Sequence, residues 1–278
     1  MKYRHQFHAG NFADIHKHVT LVALLGALTR KDKGFLYLET HAGRGRYDLR
    51  DSAASRTVLE SIERVLQGAA APDAPEEIKQ YAQVITGFRT RTALPSAYPG
   101  SPLIAASWLR PQDRAVLIEK SAEECQALAQ ALPGAARARV ECGDGFAVLR
   151  AKLPPPERRA LILIDPPYEE SAADFQRTRG ALGEILERFA TAVVAVWYPI
   201  KDRRDNEPWL RQAGEMLPRG KLVSELWTHP CDSRIALNGS GLLIVNPPYR
   251  LAERMREWLP QLSQWLDPAQ QGGTRIET

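Results

Sequence analysis

The chain has 278 residues, 44% of them apolar and 25% charged, and its 37 Lys and Arg against 33 Asp and Glu leave a formal net charge of +4. That is material for a full core in one large domain, or in one domain carrying an insertion, and no stretch reaches the ~18 to 20 uninterrupted apolar residues of a membrane span. The mild basicity permits a polyanionic partner without requiring one, and Met1-Lys2-Tyr3-Arg4-His5 leads into no signal-like apolar run, so a cytoplasmic protein is expected.

Residues Tyr3 to His18 are dense in histidine and basic side chains, running Tyr-Arg-His-x-Phe-His-Ala-Gly-Asn and then Asp14-Ile-His16-Lys17-His18. A metal site is one reading of His5, His8, His16 and His18. The other is a helix capped by Asp14 and running to about Arg30, with Ile15, Val19, Val22, Leu25 and Leu28 as its buried stripe. On such a helix His18 lies one turn beyond Asp14 while His16 points elsewhere, and no metal site is assigned. Next comes the apolar run Gly34 to Leu38, then Glu39-Thr-His41-Ala-Gly43-Arg-Gly45. This reads as a first strand and a glycine turn, where the backbone bends sharply and lets a nucleotide-like ligand approach closely. The dinucleotide fingerprint is not completed, because position 48 is Asp. NAD is therefore disfavoured.

The second strand, Ala115 to Glu119, ends in an acid suited to ribose hydroxyls, but it follows the glycine turn by far more than the usual ~20 residues. Something on the order of 50 residues is inserted relative to that spacing. The insert, 47–98, contains two helical stretches, Thr57 to Leu66 and Pro75 to Phe88. After it, Ser101-Pro102 reads as a helix N-cap with proline at the first helical position, which accounts for Ser101 without any ligand. Ser121-Ala-Glu-Glu124 is a capping box for a helix to Leu132. A third strand, Arg139 to Cys142, precedes Gly143-Asp144-Gly145, in which Asp144 either faces a ligand or caps the next helix.

Leu161-Ile-Leu-Ile164 is apolar on both faces and too short for a helix, so it reads as a central parallel strand. Pro166 and Pro167 cannot donate to a sheet ladder and end it, leaving Asp165 at the carboxyl end, where open α/β sheets place their ligands. A helix from about Ser171 to Phe189 and a fifth strand, Thr191 to Pro199, follow. Lys201-Asp-Arg-Arg204 is read as a solvated loop, with phosphate contact as the alternative. Two last strands, Leu222 to Trp227 and Gly241 to Val245, lead to Asn246-Pro-Pro-Tyr249, an echo of Asp165-Pro-Pro-Tyr168 that is read as a turn. Residues 267–278 are expected to fray. Cys125, Cys142 and Cys231 are odd in number and widely spaced, so reduced buried thiols are expected.

The order of these signals, glycine turn, acid, Asp-Gly and Asp-Pro-Pro-Tyr after strands one to four, resembles the Rossmann-like class I S-adenosylmethionine-dependent methyltransferases that modify amines. The amino-terminal Tyr-Arg-His-x-Phe-His-Ala-Gly-Asn, Thr40-His-Ala-Gly-x-Gly-x-Tyr47, Tyr98-Pro-Gly-Ser-Pro102 and Ile162 to Tyr168 narrow the resemblance to the bacterial RlmJ family, over nearly the whole chain. That resemblance implies an α/β domain with a mostly parallel seven-stranded sheet, formed by 1–46 and 99–266, with 47–98 as a small helical subdomain. It implies N6-methylation of one adenosine in 23S ribosomal RNA, with S-adenosylmethionine as cofactor; no obligate protein partner is evident from the sequence, and a monomer is expected. Residue by residue, it implies cofactor contacts at His18, His41, Ser101, Glu119, Asp144 and Gly145, catalysis by Asp165, Pro166 and Tyr168, and substrate contacts at Tyr3, His5 and Lys17.

The chemistry agrees with the residues. The lone pair of adenine's exocyclic nitrogen is delocalised into the ring, so hydrogen bonds from its two protons to Asp165 and a Pro166 carbonyl return density to nitrogen. Once methylated, that nitrogen is briefly cationic and acidic, and an ordinary carboxylate accepts its proton. A flipped base would stack on Tyr168. The alternatives are a DNA adenine or protein glutamine methyltransferase, which carry similar tetrapeptides, and a non-catalytic RNA-binding module that keeps the fold.

Overall fold

The computed structural model describes residues 9–51, 55–132, 137–169, 171–217, 220–230, 233 and 237–278. Tyr3, His5, His8 and Cys231 lie outside the described residues. The first helix, α1 (Phe12–Thr29), buries the expected Ile15, Val19, Val22, Leu25 and Leu28, but also His16, Lys17, His18 and Thr20. A helix buried on nearly every side is a core element rather than a surface one. Its cap is Asn11, not Asp14: the Asn11 side chain accepts from Asp14 N at 3.0 Å, and the Asp14 carboxylate accepts from Gly10 N at 2.9 Å. The two side chains thus satisfy each other's end of the first turn, as in a capping box.

The strand β1 (Leu36–Glu39) is followed by a hairpin that the sequence did not disclose, β2 (Arg46–Asp48) paired with β3 (Ala97–Pro99). Between its arms lie the two helices of the insert, α2 (Ser55–Ala69) and α3 (Glu76–Thr92). Val58, Ile62, Val65, Ile78, Tyr81 and Ile85 of these helices share one continuous apolar cluster with α1 and with Tyr37 of β1. The helix α4 (Ser101–Ala106) is capped by Gly100, whose side-chain-free backbone leaves the Ser101 hydroxyl to turn elsewhere. This corrects the expectation of Ser101 as a plain cap.

Then β4 (Arg114–Glu119), α5 (Ala122–Ala131), β5 (Ala138–Cys142), α6 (Gly145–Lys152), β6 (Ala160–Ile164), α7 (Ser171–Arg188) and β7 (Val193–Ile200) alternate as parallel βα units. Residues 201–204 are not an extended loop. Asp202 caps α8 (Arg203–Glu215) by accepting from Arg204 N, so Arg203 and Arg204 form its first turn. The chain closes with β8 (Lys221–Trp227), β9 (Gly239–Val245), α9 (Leu251–Leu266) and β10 (Gly273–Glu277).

The main sheet has eight strands in the order β10-β8-β9-β7-β6-β1-β4-β5, one more than expected. The addition is β10, which pairs antiparallel with β8. Residues 273–277 are thereby ordered as an edge strand, and the expectation of a frayed end fails because β8 offers an unpaired edge and Arg275 finds Glu225. Period-two alternation sends Leu161 and Leu163 to the α1 side of the sheet, and Ile162 and Ile164 to the opposite side with Leu182 and Ile185 of α7.

Cys125 and Cys142 are joined by a disulfide, with 5.8 Å between their Cα atoms, contrary to the expectation of reduced thiols. The β4–α5–β5 crossover returns the end of β5 beneath the first turn of α5 and so brings together cysteines that are distant in sequence.

The insert is fastened to α9 by a close approach at Gly68, where a Cβ would lie 2.3 Å from the Trp265 ring, and by Arg64 Nε donating to the Trp265 carbonyl at 2.8 Å. Gly68→Ala is therefore expected to destabilise the whole domain by ~1–3 kcal/mol through overpacking, read as a lower urea midpoint in one cooperative transition. Loss of only a minor first transition would show that α2 and α3 fold as a separate body.

Candidate active site

The carboxyl ends of β1, β4, β5 and β6 lie along one edge of the sheet because these strands are parallel. Glu39, Glu119, Cys142-Gly143-Asp144 and Asp165 arrive there in turn. The glycine turn after β1 folds over this edge with Gly43 and Gly45 at φ of 61° and 76°, a left-handed conformation that other residues adopt with strain. Glu119 fixes that turn: its Oε2 accepts from Gly43 N at 2.8 Å and its Oε1 from Ser121 N at 2.8 Å.

Asp144 is the N-cap of α6, accepting from Phe146 N and Ala147 N through Oδ1. Its Oδ2 lies 3.8 Å from Lys120 Nζ and 4.0 Å from Arg177. Gly145 brings α6 directly onto the end of β1, since a Cβ at that position would lie 1.9 Å from Thr40 O. His41 is half-buried, edge-on to Phe146, and bonded to Thr40 Oγ1 at 2.8 Å. Burial pushes its pKa down to about 4, against the upward pull of Asp165 and Asp144, so the imidazole is neutral at pH 7.

Glu39 has no role in the reading from sequence, although an acid directly before a glycine turn is a readable signal. Its carboxylate is fully buried and accepts from the Ser101 hydroxyl and from Tyr37 Oη, the latter at 2.8 Å. Burial raises its pKa to about 7, and the hydroxyls of Ser101 and Tyr37 and the charge of Lys17 limit the rise. Ser101 is thus brought to the site, through Glu39. His18 stacks on Tyr98, with Nδ1 2.8 Å from Tyr98 Oη, and Tyr98 Oη lies 3.2 Å from Tyr81 Oη.

Asp165 is paired with a lysine. Lys17, 3% exposed, places Nζ 2.5 Å from Asp165 Oδ2 and 2.7 Å from Asp14 Oδ1. Burial alone would lower the lysine's pKa, but the two carboxylates raise it above its ordinary value and keep it charged. With Lys17 Nζ set between Asp14 and Asp165, the Asp165 side chain is fixed in direction.

Of the neighbouring residues, Pro166 is buried and Pro167 exposed. Tyr168 adopts a φ of 52° and turns its ring away from α1, to 4.7 Å from the Phe175 ring, while its hydroxyl donates to the Trp197 carbonyl at 2.7 Å. The second tetrapeptide is remote. Because β9 runs antiparallel to β7, Asn246 lies at the opposite edge of the sheet, where its amide donates to Ala190 O and Ala192 O at 2.8 Å each.

Three strand-end acids around a glycine turn suit S-adenosylmethionine: Glu39 faces the need for an anion at an ammonium group, Glu119 that for ribose hydroxyls, and Asp144 with the amide of its neighbour that for an adenine edge. Gly43 and Gly45, where a Cβ would meet the Tyr47 hydroxyl at 2.6 Å and Leu128 at 2.7 Å, keep the turn tight against the protein, and the neutral His41 beside Phe146 lies at the same edge.

Residues 32–278 match the family model described as "Ribosomal RNA large subunit methyltransferase D, RlmJ". The chain is 42% identical to the ribosomal RNA large subunit methyltransferase J of Escherichia coli (strain K12), covering 99% of this chain and 98% of that protein. It is 38% identical to the protein of the same name from Haemophilus influenzae, covering 100% and 98%. A crystal structure of a Legionella pneumophila protein, 36% identical, superposes with a TM-score of 0.88 over 98% of both chains. The chain belongs to the RlmJ family of ribosomal RNA large subunit methyltransferases.

Proposed function

We propose that this protein transfers a methyl group from S-adenosylmethionine to N6 of a single adenosine in 23S ribosomal RNA, with Asp165 accepting the amine proton. The relatives from E. coli and H. influenzae carry names that assign them to large-subunit ribosomal RNA. The observation that carries the chemical reading is Asp165, held by Lys17 at the carboxyl end of β6 on the same edge as Glu39, Glu119 and Asp144. S-adenosylmethionine, when bound, supplies an electrophilic methyl group. Asp165 and the Pro166 carbonyl accept the two N6 protons and return lone-pair density to nitrogen. Asp165 then takes the proton that the methylated, cationic nitrogen releases. Asp165 Oδ2 is engaged by Lys17, which leaves Oδ1 to meet the amine. Lys17 acts in this reading through Asp165 rather than as a free substrate contact, while Tyr3 and His5 are assigned to the substrate.

Asp165→Ala is expected to keep cofactor affinity and lose methyl transfer by at least ~100-fold. Tritiated methyl transfer onto 23S RNA, duplex DNA and protein checks both the loss and the substrate class, and near-normal turnover would overturn the role of Asp165. Glu119→Ala removes an anion from the ribose side and the acceptor of Gly43 N, so calorimetry should show cofactor affinity weakened by roughly tenfold or more, as loss of charged hydrogen bonds implies. Unchanged affinity would remove Glu119 from the site.

Glu39 gives a pH dependence. Its folded value near 7 stands above the ordinary 4.5, so the folded state holds the proton more tightly and stability falls as pH rises between those values. In the protein alone, Glu39→Gln should therefore gain on the order of 1–3 kcal/mol over wild type at pH 8, and the advantage should vanish near pH 4. Urea unfolding at both pH values measures it.

A further inference from the structure

One aromatic residue at the site has no part in the reading above. Trp197 of β7 is only partly buried, although the strand residues on either side of it are fully covered. In the parallel pairing of β6 with β7, Ile164 stands beside Val196, so the next step along both strands sets Asp165 beside Trp197. Leu163 and Ala195, two residues before them, face the α1 side of the sheet. Asp165 and Trp197 continue that face, and Lys17 Nζ lies 5.8 Å from the Trp197 ring centroid and 2.5 Å from Asp165. Tyr168, by contrast, is 6% exposed, and its ring belongs to the cluster on the other side of the sheet with Phe175.

The indole is also anchored more firmly than packing requires. Trp197 Nε1 donates to Ser240 Oγ at 2.9 Å. Ser240 Oγ lies 3.0 Å from His16 Nδ1, and His16 Nε2 lies 2.9 Å from Ser224 Oγ. His16 is fully buried, and a neutral imidazole serves both serines, with one nitrogen donating and the other accepting. A chain of four side chains drawn from β8, α1, β9 and β7 thus fixes one ring beside the reacting carboxylate. Such a support is what a binding face needs if it is to hold a planar ligand in one orientation.

We propose that Trp197 is the aromatic face on which the target base packs, and that the Ser224–His16–Ser240 chain is the positioning device that holds it. Tyr168 then shapes the pocket from behind, through its hydroxyl on the Trp197 carbonyl and its ring against Trp197 at 5.9 Å. The inference rests on the proposed adenosine reaction.

The test uses the full chain and a 23S RNA fragment carrying 2-aminopurine at the target position, a base whose fluorescence rises when it leaves the RNA stack and is quenched when it stacks on an indole. With wild type, the fluorescence should stay low on binding. With Trp197→Leu it should rise, kcat/KM on unlabelled RNA should fall roughly five- to hundredfold, as the loss of one base–aromatic stack implies, and cofactor affinity by calorimetry should stay within twofold. Trp197→Phe should recover most of the rate. Ser240→Ala keeps the indole but frees it, and should lower kcat more than it raises KM; it also serves as the second variant if Trp197→Leu does not fold. Equal kcat/KM for Trp197→Leu and wild type would overturn the proposal, as would a loss of cofactor binding in step with activity or a quenched 2-aminopurine signal in Trp197→Leu. Failure of the underlying reaction is distinguishable, because wild type itself would then leave 23S RNA unmethylated.

Discussion

The site depends on a lysine buried between two carboxylates. Lys17, Asp14 and Asp165 are each costly to remove from water alone, and each is tolerable only because the others are there. The pairing ties α1 to the end of β6 at the one place where the direction of a carboxylate matters. It also explains why α1 is so thoroughly buried: an element carrying a lysine to the middle of the sheet must be enclosed on all sides, and its capping by Asn11 leaves Asp14 able to serve as the third charge.

Around that trio the electrostatics are arranged by burial. Glu39, beneath the glycine turn, is near half-ionised at neutral pH, and His41 is neutral, so the edge of the sheet carries less fixed negative charge than its count of acids suggests. A cationic ligand would shift Glu39 toward its charged form as it arrives, coupling proton release to binding at that acid. The glycine turn needs no charge for its part. Its left-handed residues and the Glu119 carboxylate that holds Gly43 N give it a single shape.

Much of this was legible in the sequence, and the reason is strand chemistry. Leu161 to Ile164, Ala115 to Glu119 and Val193 to Ile200 announce themselves because parallel strands are apolar on both faces and end at prolines, acids or glycines. The acids at those ends could be named because topology fixes which edge they reach. What escaped was set by distant partners. No local pattern says that Lys17 reaches Asp165, that Ser101 turns to Glu39 instead of capping its helix, or that Cys125 meets Cys142. The short β2–β3 hairpin is too brief to show alternation, and β10 exists because β8 offers an open edge, which is a property of another segment. Trp197 was hidden inside a run that reads as pure core.

The two tetrapeptides carry a more general lesson. Asp165-Pro-Pro-Tyr168 and Asn246-Pro-Pro-Tyr249 differ by a single atom pair in their first side chain, yet one strand runs up the sheet and the other down. The second therefore lies at the edge opposite the carboxyl ends of β1, β4, β5 and β6, with Tyr249 89% exposed and Asn246 stitching the α7–β7 turn. Polarity of the strand, which no string of letters displays, separates a reaction centre from a piece of joinery. An aspartate arising by drift at position 246 would complete the copy and still create no second enzyme, so selection can treat the two ends of the sheet as independent.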